Sequence, residues 1–254
     1  MDKNTITLYC NCSNSEIISR EIKEEILTKI NGYKTELIAV SDLCGESIHP
    51  NQIEQLKDYD SINVIACFPR SIKWLLNRAG ITDKELNVFN MRTQSIKEFD
   101  QYFSSIEKSE GSTDIPAFTK ATDWIPWNPV IDYDRCINCR QCASFCLFGV
   151  YQVNEKNRVK VINPSSCKNN CPACGRICPE AAIIFPKVDE SPINGEDITN
   201  EEAVRANIKN NVDKMLGDDV YAALAKRKKK AKILKLRKQA ETERQKHLDQ
   251  EKSE

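Results

Sequence analysis

Eight cysteines between residues 136 and 178 constrain this chain more than any other feature. CINCRQCASFC places Cys136, Cys139, Cys142 and Cys146 as C-x2-C-x2-C-x3-C, and CKNNCPACGRICP places Cys167, Cys171, Cys174 and Cys178 as C-x3-C-x2-C-x3-C-P. Three cysteines on a tight loop can each reach a different iron of one cubane, while the fourth starts a helix that carries it to another. The spacing therefore predicts two [4Fe–4S] clusters. One is held by Cys136, Cys139, Cys142 and Cys178, and the other by Cys146, Cys167, Cys171 and Cys174. Structural zinc takes two separated cysteine pairs closed by four ligands, and this run fits it poorly.

Between the motifs, GVYQVNEKNRVKVI predicts a hairpin turning at Asn154 to Asn157, and AAIIFP after Cys178 predicts a short strand. With these elements, residues 126–186 resemble the bacterial dicluster ferredoxins. Leu147 follows Cys146 where that family often has proline, and one extra residue separates Cys167 from Cys171. Neither departure removes a ligand. The resemblance implies a ferredoxin-like unit that carries electrons.

Upstream, residues 1–106 alternate strand and helix. Apolar runs at 6–9, 35–40, 62–66 and 86–89 predict four buried strands. Ser13 and Glu16 match a capping box, and Ile18, Ile22, Ile26 and Ile30 recur every fourth residue, which predicts a helix from Ser13 that stops at Gly32. Further helices are expected after Pro50 with Ile53 and Leu56 inward, over SIKWLLNRAG up to Gly80, and over SIKEFDQYFSSI. Such alternation gives a parallel sheet. The expected fold class is α+β overall: a small parallel α/β domain (1–106), a ferredoxin-like dicluster domain (126–186) and charged C-terminal helices (200–254). Polar stretches at 107–125 and 187–199 read as linkers.

The remaining four cysteines each follow a strand: Cys10 and Cys12 the first, Cys44 the second, Cys67 the third. In a parallel sheet those ends share one edge, where open α/β folds bind ligands. Helix N-termini at the same edge favour thiolate charge. A free cysteine also serves as a small buried apolar residue, which suits any one of these better than four together. The set allows a third iron–sulfur cluster, a structural zinc or a redox dithiol at Cys10 and Cys12.

The order YCNCS, LCGES, VIACFPRSIKWLLNRAGI and NMRTQS resembles the N-terminal domain of the flavin-binding subunit of heterodisulfide reductase, over about residues 5–95. That domain has C-x-C, a lone cysteine, a cysteine before S-P-R and a final N-x-R around an iron–sulfur cluster. Arg70 matches the arginine, Phe68 stands where serine is usual, and Ser95 takes a place where the family often has another cysteine. The resemblance implies a third cluster on Cys10, Cys12, Cys44 and Cys67. The flavin-binding body of the reductase is missing, and no G-x-G-x-x-G supports a dinucleotide.

Thirty-seven basic and thirty-seven acidic residues cancel, so bulk charge points to no partner. No apolar run nears the ~20 residues of a membrane span, and the N-terminus lacks signal-peptide features, so a cytoplasmic location is expected. Reducing conditions there favour metal sites over disulfides for twelve cysteines. In the tail, Thr199 and Glu202 match a capping box, Gly217 marks a stop, and Asp218 or Asp219 can cap a second helix bearing KRKKKAKILKLRK at 226–238. That helix lacks a sustained heptad and reads as a solvated arm. Without aromatic interleaving, nucleic acid is the weakest of its partner classes.

No acid–base or nucleophilic constellation is visible. The expected function is therefore an iron–sulfur electron-transfer protein or subunit, partnered by a redox enzyme or other subunits of a redox complex. The alternatives are a thiol- or heterodisulfide-type redox enzyme using the upstream cysteines, and an iron–sulfur sensor binding nucleic acid through its basic tail.

Overall fold

The computed structural model describes residues 4–102, 118 and 125–251. The stretch 107–125 lies outside them except for Phe118 and Ile125.

Four strands, β1 (Thr5–Cys10), β2 (Leu37–Val40), β3 (Ser61–Ala66) and β4 (Glu85–Asn90), form a parallel sheet in the order β2-β1-β3-β4. Ile6, Leu8, Val40, Ile62, Val64 and Ile65 are fully buried, as expected for parallel strands covered on both faces. From β1 the chain crosses to β2 on one side, and later from β3 to β4 on the other. The topological switch point therefore falls between β1 and β3, and open α/β folds bind ligands beyond the C-terminal strand ends at such a point.

The first helix, α1, spans Arg20–Ile30 and is shorter than the expected one. Ser19, not Ser13, caps it, accepting from the Ile22 N–H at 3.4 Å. The Ser13 N–H instead donates to the Ser41 carbonyl at 2.8 Å, and the Ser15 N–H to the Cys12 carbonyl at 3.2 Å. The stretch read as a first helical turn is thus a loop that wraps the Cys10–Cys12 pair. Ile26 and Ile30 are buried, but Ile22 is exposed. A four-residue repeat drifts around a 3.6-residue helix, leaving Ile22 roughly 80° from Ile30.

The short helix α2 (Leu43–Glu46) has no counterpart among the expected elements. After Pro50 comes a single 3-10 turn, Glu54–Asp58, with Ile53 and Leu56 fully buried. Helix α3 (Pro69–Arg78) starts on a proline, whose missing N–H costs nothing at that position. Helix α4 spans Ile96–Tyr102.

In the second unit, β5 (Val130–Ile131) pairs antiparallel with β8 (Ile183–Ile184), and β6 (Tyr151–Val153) pairs with β7 (Val159–Val161). The β6–β7 turn closes through Asn154 N–H to the Arg158 carbonyl at 2.9 Å, with Asn157 left-handed. Two short helices, α5 (Gln141–Phe145) and α6 (Ala173–Arg176), carry cysteines. Helix α7 (Glu201–Leu216) is capped by Asn200 rather than Thr199, with the Ala203 N–H donating at 2.9 Å to its Oδ1. Gly217, with φ of +72°, ends it, and Asp219 caps α8 (Val220–Glu251) through the Ala222 N–H at 2.8 Å. Among the described residues no helix is long and apolar enough to cross a membrane.

The two units are packed together. Val130 and Ile184 lie in the core of the sheet unit, and α3 lies against β5. Arg70 donates to Asp132 at 2.7 Å and to the carbonyls of Ala181, Pro192 and Glu196. Arg78 donates to Asn128 at 2.6 Å, to Ser47 Oγ, and to the carbonyls of Pro129 and Cys44. Arg92 donates to the carbonyls of Pro186 and Val188 and to Asp189. Trp74 meets Tyr133 edge-on at 5.6 Å. The polar, turn-rich stretch at 187–199 is part of this interface: Ile193, Asn194 and Gly195 are buried, and the Asn194 carbonyl accepts from Ser71 Oγ at 2.9 Å.

Candidate metal centres

The eight downstream cysteines sort into two cavities. Cys136, Cys139, Cys142 and Cys178 line one. Cys146, Cys167, Cys171 and Cys174 line the other. Local backbone explains the first. Asp132 accepts from the Cys136 N–H at 2.9 Å through its carbonyl and from the Asp134 and Arg135 N–H groups through Oδ1. Asn138 and Arg140 are both left-handed, which coils the loop and leaves Cys136, Cys139 and Cys142 on its inner side. Cys142 then rides on α5, and Cys146 ends that helix and faces the second cavity. Cys178 returns from the second motif, its Sγ accepting the Ala182 N–H at 3.3 Å. In the second cavity the Tyr151 hydroxyl lies 3.0 Å from Cys174 Sγ. Arg227 of α8 also lines this cavity, its guanidinium 3.8 Å from the Phe145 ring centroid and its Nε donating to the Phe145 carbonyl at 3.1 Å.

The four upstream cysteines gather at the switch point. Cys10 ends β1, Cys12 follows in a left-handed turn, Cys44 sits in the first turn of α2, and Cys67 lies between β3 and α3. Cys10 Sγ accepts the Leu43 N–H at 3.3 Å, the same kind of backbone donation that Cys178 receives. Asp42 caps α2 by accepting the Cys44 N–H at 3.0 Å.

Their charges are coupled. Burial pushes all four thiol pKa values up, that of Cys67 to about 12, and neighbouring thiols add to this: Cys12 acts on Cys10, Cys44 and Cys67, and Cys67 on Cys44. Cations oppose it: Lys187 acts on Cys12, Cys44 and Cys67, and Arg92 on Cys12 and Cys67. Lys187 comes from the second unit, just after β8. Its Nζ donates to both Asp42 oxygens at 3.0 and 2.8 Å and stands 3.9 Å from Cys12 Sγ.

Ser95, where the reductase domain often has another cysteine, instead meets Glu98 Oε2 with its N–H and hydroxyl at the start of α4. The two arginines of that resemblance, Arg70 and Arg92, hold the units together.

The residues fit iron–sulfur clusters: the candidate ligands are all thiols, and Cys10 and Cys178 accept backbone N–H bonds of the kind that cluster-bound thiolates take.

Lys187, Asp42, Tyr151 and Arg227 escape a reading of the motifs. Asp42 had a local signal, since an aspartate two residues before Cys44 is an N-cap pattern. The other three reach their sites only through tertiary packing.

Residues 128–179 match the family described as a 4Fe-4S dicluster domain. An uncharacterized ferredoxin of Methanocaldococcus jannaschii is 42% identical over 97 residues, 38% of this chain and 63% of the relative. The pyruvate synthase subunit PorD of the same organism is 34% identical over 64 residues, 25% of this chain and 72% of the relative. The thiosulfate reductase electron transfer subunit PhsB of Salmonella typhi is 32% identical over 68 residues, covering 25% and 35%. The chain thus spans less than two thirds of the ferredoxin and about a third of PhsB. No solved structure matches it. With these relatives and two four-cysteine cavities in its second unit, the chain belongs, through residues 128–179, to the 4Fe-4S dicluster ferredoxin family.

Proposed function

We propose that this chain is an electron-transfer subunit with three iron–sulfur sites, serving a redox enzyme or complex. Cys136, Cys139, Cys142 and Cys178 hold one [4Fe–4S] cluster, and Cys146, Cys167, Cys171 and Cys174 the second. Cys10, Cys12, Cys44 and Cys67 hold the third, in a domain related to the N-terminal part of the flavin-binding subunit of heterodisulfide reductase. The observation that carries this reading is the convergence of four buried or part-buried thiols at the sheet's switch point, on the side where the ferredoxin unit docks. Bound clusters supply one-electron chemistry; the protein cages them, excludes water and sets their potentials through charge and hydrogen bonds. PorD and PhsB are by name subunits of larger enzymes, which supports the same role here.

Burial speaks against direct thiol exchange at the upstream site. Reactive cysteines are exposed and have lowered pKa values. Cys10, Cys12 and Cys44 are buried and shifted the other way.

Anaerobic iron, sulfide and zinc analysis of the full chain, with EPR, tests the proposal. The expected result is about twelve irons, four per cluster, and no stoichiometric zinc. About eight irons would sink the third site. Cys67→Ser is expected to remove about four irons and one EPR signal while the ferredoxin signals persist.

A second expected result concerns Tyr151. Tyr151→Phe deletes the hydroxyl beside Cys174, and a thiolate ligand that loses a donor favours the oxidised cluster. Redox titration should show one ferredoxin potential falling by tens of millivolts and the other unchanged. Equal movement of both would contradict the assignment of Cys174 to a single site.

A further inference from the structure

We infer that Lys187 and Asp42 are part of the upstream site: a buried ion pair, contributed half by each unit, that sets the reduction potential of the group held by Cys10, Cys12, Cys44 and Cys67. The inference rests on the third-cluster reading above and adds which residues control it.

The ion pair is almost dry, its side chains 5% and 6% exposed. Burying two charges is costly, and the attraction between them repays this only with good geometry and further hydrogen bonds. Here the geometry is two-pronged, at 3.0 and 2.8 Å, and Asn14 Nδ2 adds a third contact to Asp42 at 3.3 Å. The position of the lysine gives the pair a purpose beyond docking. Its Nζ is 3.9 Å from Cys12 Sγ, while Asp42 orients Cys44 through the cap of α2. Every ligand-bearing turn but that of Cys67 thus touches the pair or its cap, since the Leu43 N–H beside it donates to Cys10. Lys23 donates to the Cys12 carbonyl at 3.4 Å, and Arg92 is tied to the Pro186 and Val188 carbonyls and stacks over Phe68 at 4.7 Å, so the Pro186–Val188 stretch brings Lys187 and Arg92 to the thiols.

Adding one electron to a cluster adds one negative charge in a site that water does not screen. A fixed cation nearby stabilises the reduced form and raises the potential; a fixed anion lowers it. An electron passed to this group from a ferredoxin cluster would oxidise that cluster by one electron and would need no proton. Lys187 and Asp42 therefore act in opposite senses on the same potential. This separates an electrostatic role from a purely structural one, in which loss of either partner would have a similar effect.

The test is an EPR-monitored redox titration of the intact, anaerobically purified chain and two variants. In Lys187→Gln the upstream potential is expected to fall by at least about 59 mV, a tenfold change in a one-electron equilibrium. In Asp42→Asn, which keeps a capping side chain, it is expected to rise. The two ferredoxin potentials stay in place in both, as internal controls. Shifts of the same sign, or no shift in either variant, would overturn the inference. Should Lys187→Gln fail to load its third group, Lys187→Arg decides: retention of the group and its potential upholds the charge role, and failure of the arginine variant too overturns it. A wild-type protein with only two EPR signals and about eight irons would instead remove the third cluster, and the inference with it.

Discussion

Arg70→Met is expected to destabilise the protein by about 3–5 kcal/mol, the usual result of breaking a buried ion pair from one side. The pair is well buried, Arg70 9% and Asp132 4% exposed. Asp132 would remain charged, and the carbonyls of Ala181, Pro192 and Glu196 would lose a donor. The damage should reach the metal sites, because Asp132 also organises the turn that presents Cys136. Anaerobic guanidinium unfolding, followed by far-UV circular dichroism and by cluster absorbance, should show both transitions moving together to lower denaturant. The double variant Arg70→Met, Asp132→Asn should recover much of the loss, since an uncharged asparagine tolerates the site. A change below about 1 kcal/mol, the range of an exposed pair, would show that Arg70 is not the clamp.

Gly195→Ala is the second large effect. Gly195 has φ of +93°, and a Cβ there would lie 1.9 Å from Ser71 Oγ, 2.9 Å from Ser71 Cβ and 3.1 Å from Ser71 N. Backbone and helix meet so closely that no side chain fits between them. Overpacking costs about 1–3 kcal/mol, and a left-handed alanine adds about 1–2 kcal/mol. The expected outcome is a chain whose 187–199 segment lifts from α3, with faster proteolysis in that segment and a lower unfolding midpoint. Ser71→Gly in the same chain should restore the part due to collision and leave the part due to φ. If Gly195→Ala unfolds like the wild type, the segment is not held against α3 as described.

These two positions also mark where sequence reading stops. The strands were legible to within a residue or two, because a strand buried on both faces is an apolar run with polar ends. The parallel sheet, the α+β class and the hairpin at Asn154–Asn157 were legible for the same local reasons. Local rules misplaced two caps. Ser13 and Glu16 have capping-box spacing, but the backbone there is drawn into the loop around Cys12. Thr199 competes with Asn200, an equally good cap one residue on.

The interface was not legible, since Arg70 and Asp132 are 62 positions apart and neither carries a local signal. Composition also concealed two packed segments. At 187–199, Ile193 and Gly195 are buried among polar neighbours. In the tail, Val212, Met215, Leu216, Val220, Ala223 and Leu224 form an apolar stripe against the ferredoxin core, interrupted by Gly217 and outnumbered by charges. The downstream cysteines were readable as ligands because their spacing is local. The upstream four depended on sheet topology, which places the ends of β1 and β3 side by side.

The interleaving of the two cysteine motifs has a consequence for biosynthesis. A chain leaves the ribosome N-terminus first, and domains fold as units as they emerge. The second cavity has its four thiols once Cys174 is out, but the first waits for Cys178, although three of its walls appeared at Cys136 to Cys142. The upstream thiols are complete at Cys67, yet the buried cation beside Cys12 does not exist until Lys187 emerges. Whatever order the numbering suggests, the oldest thiols in the nascent chain are the last to find their final surroundings. Until residue 187 has emerged, Asp42 and the upstream thiols lack the buried lysine that joins them to the second unit.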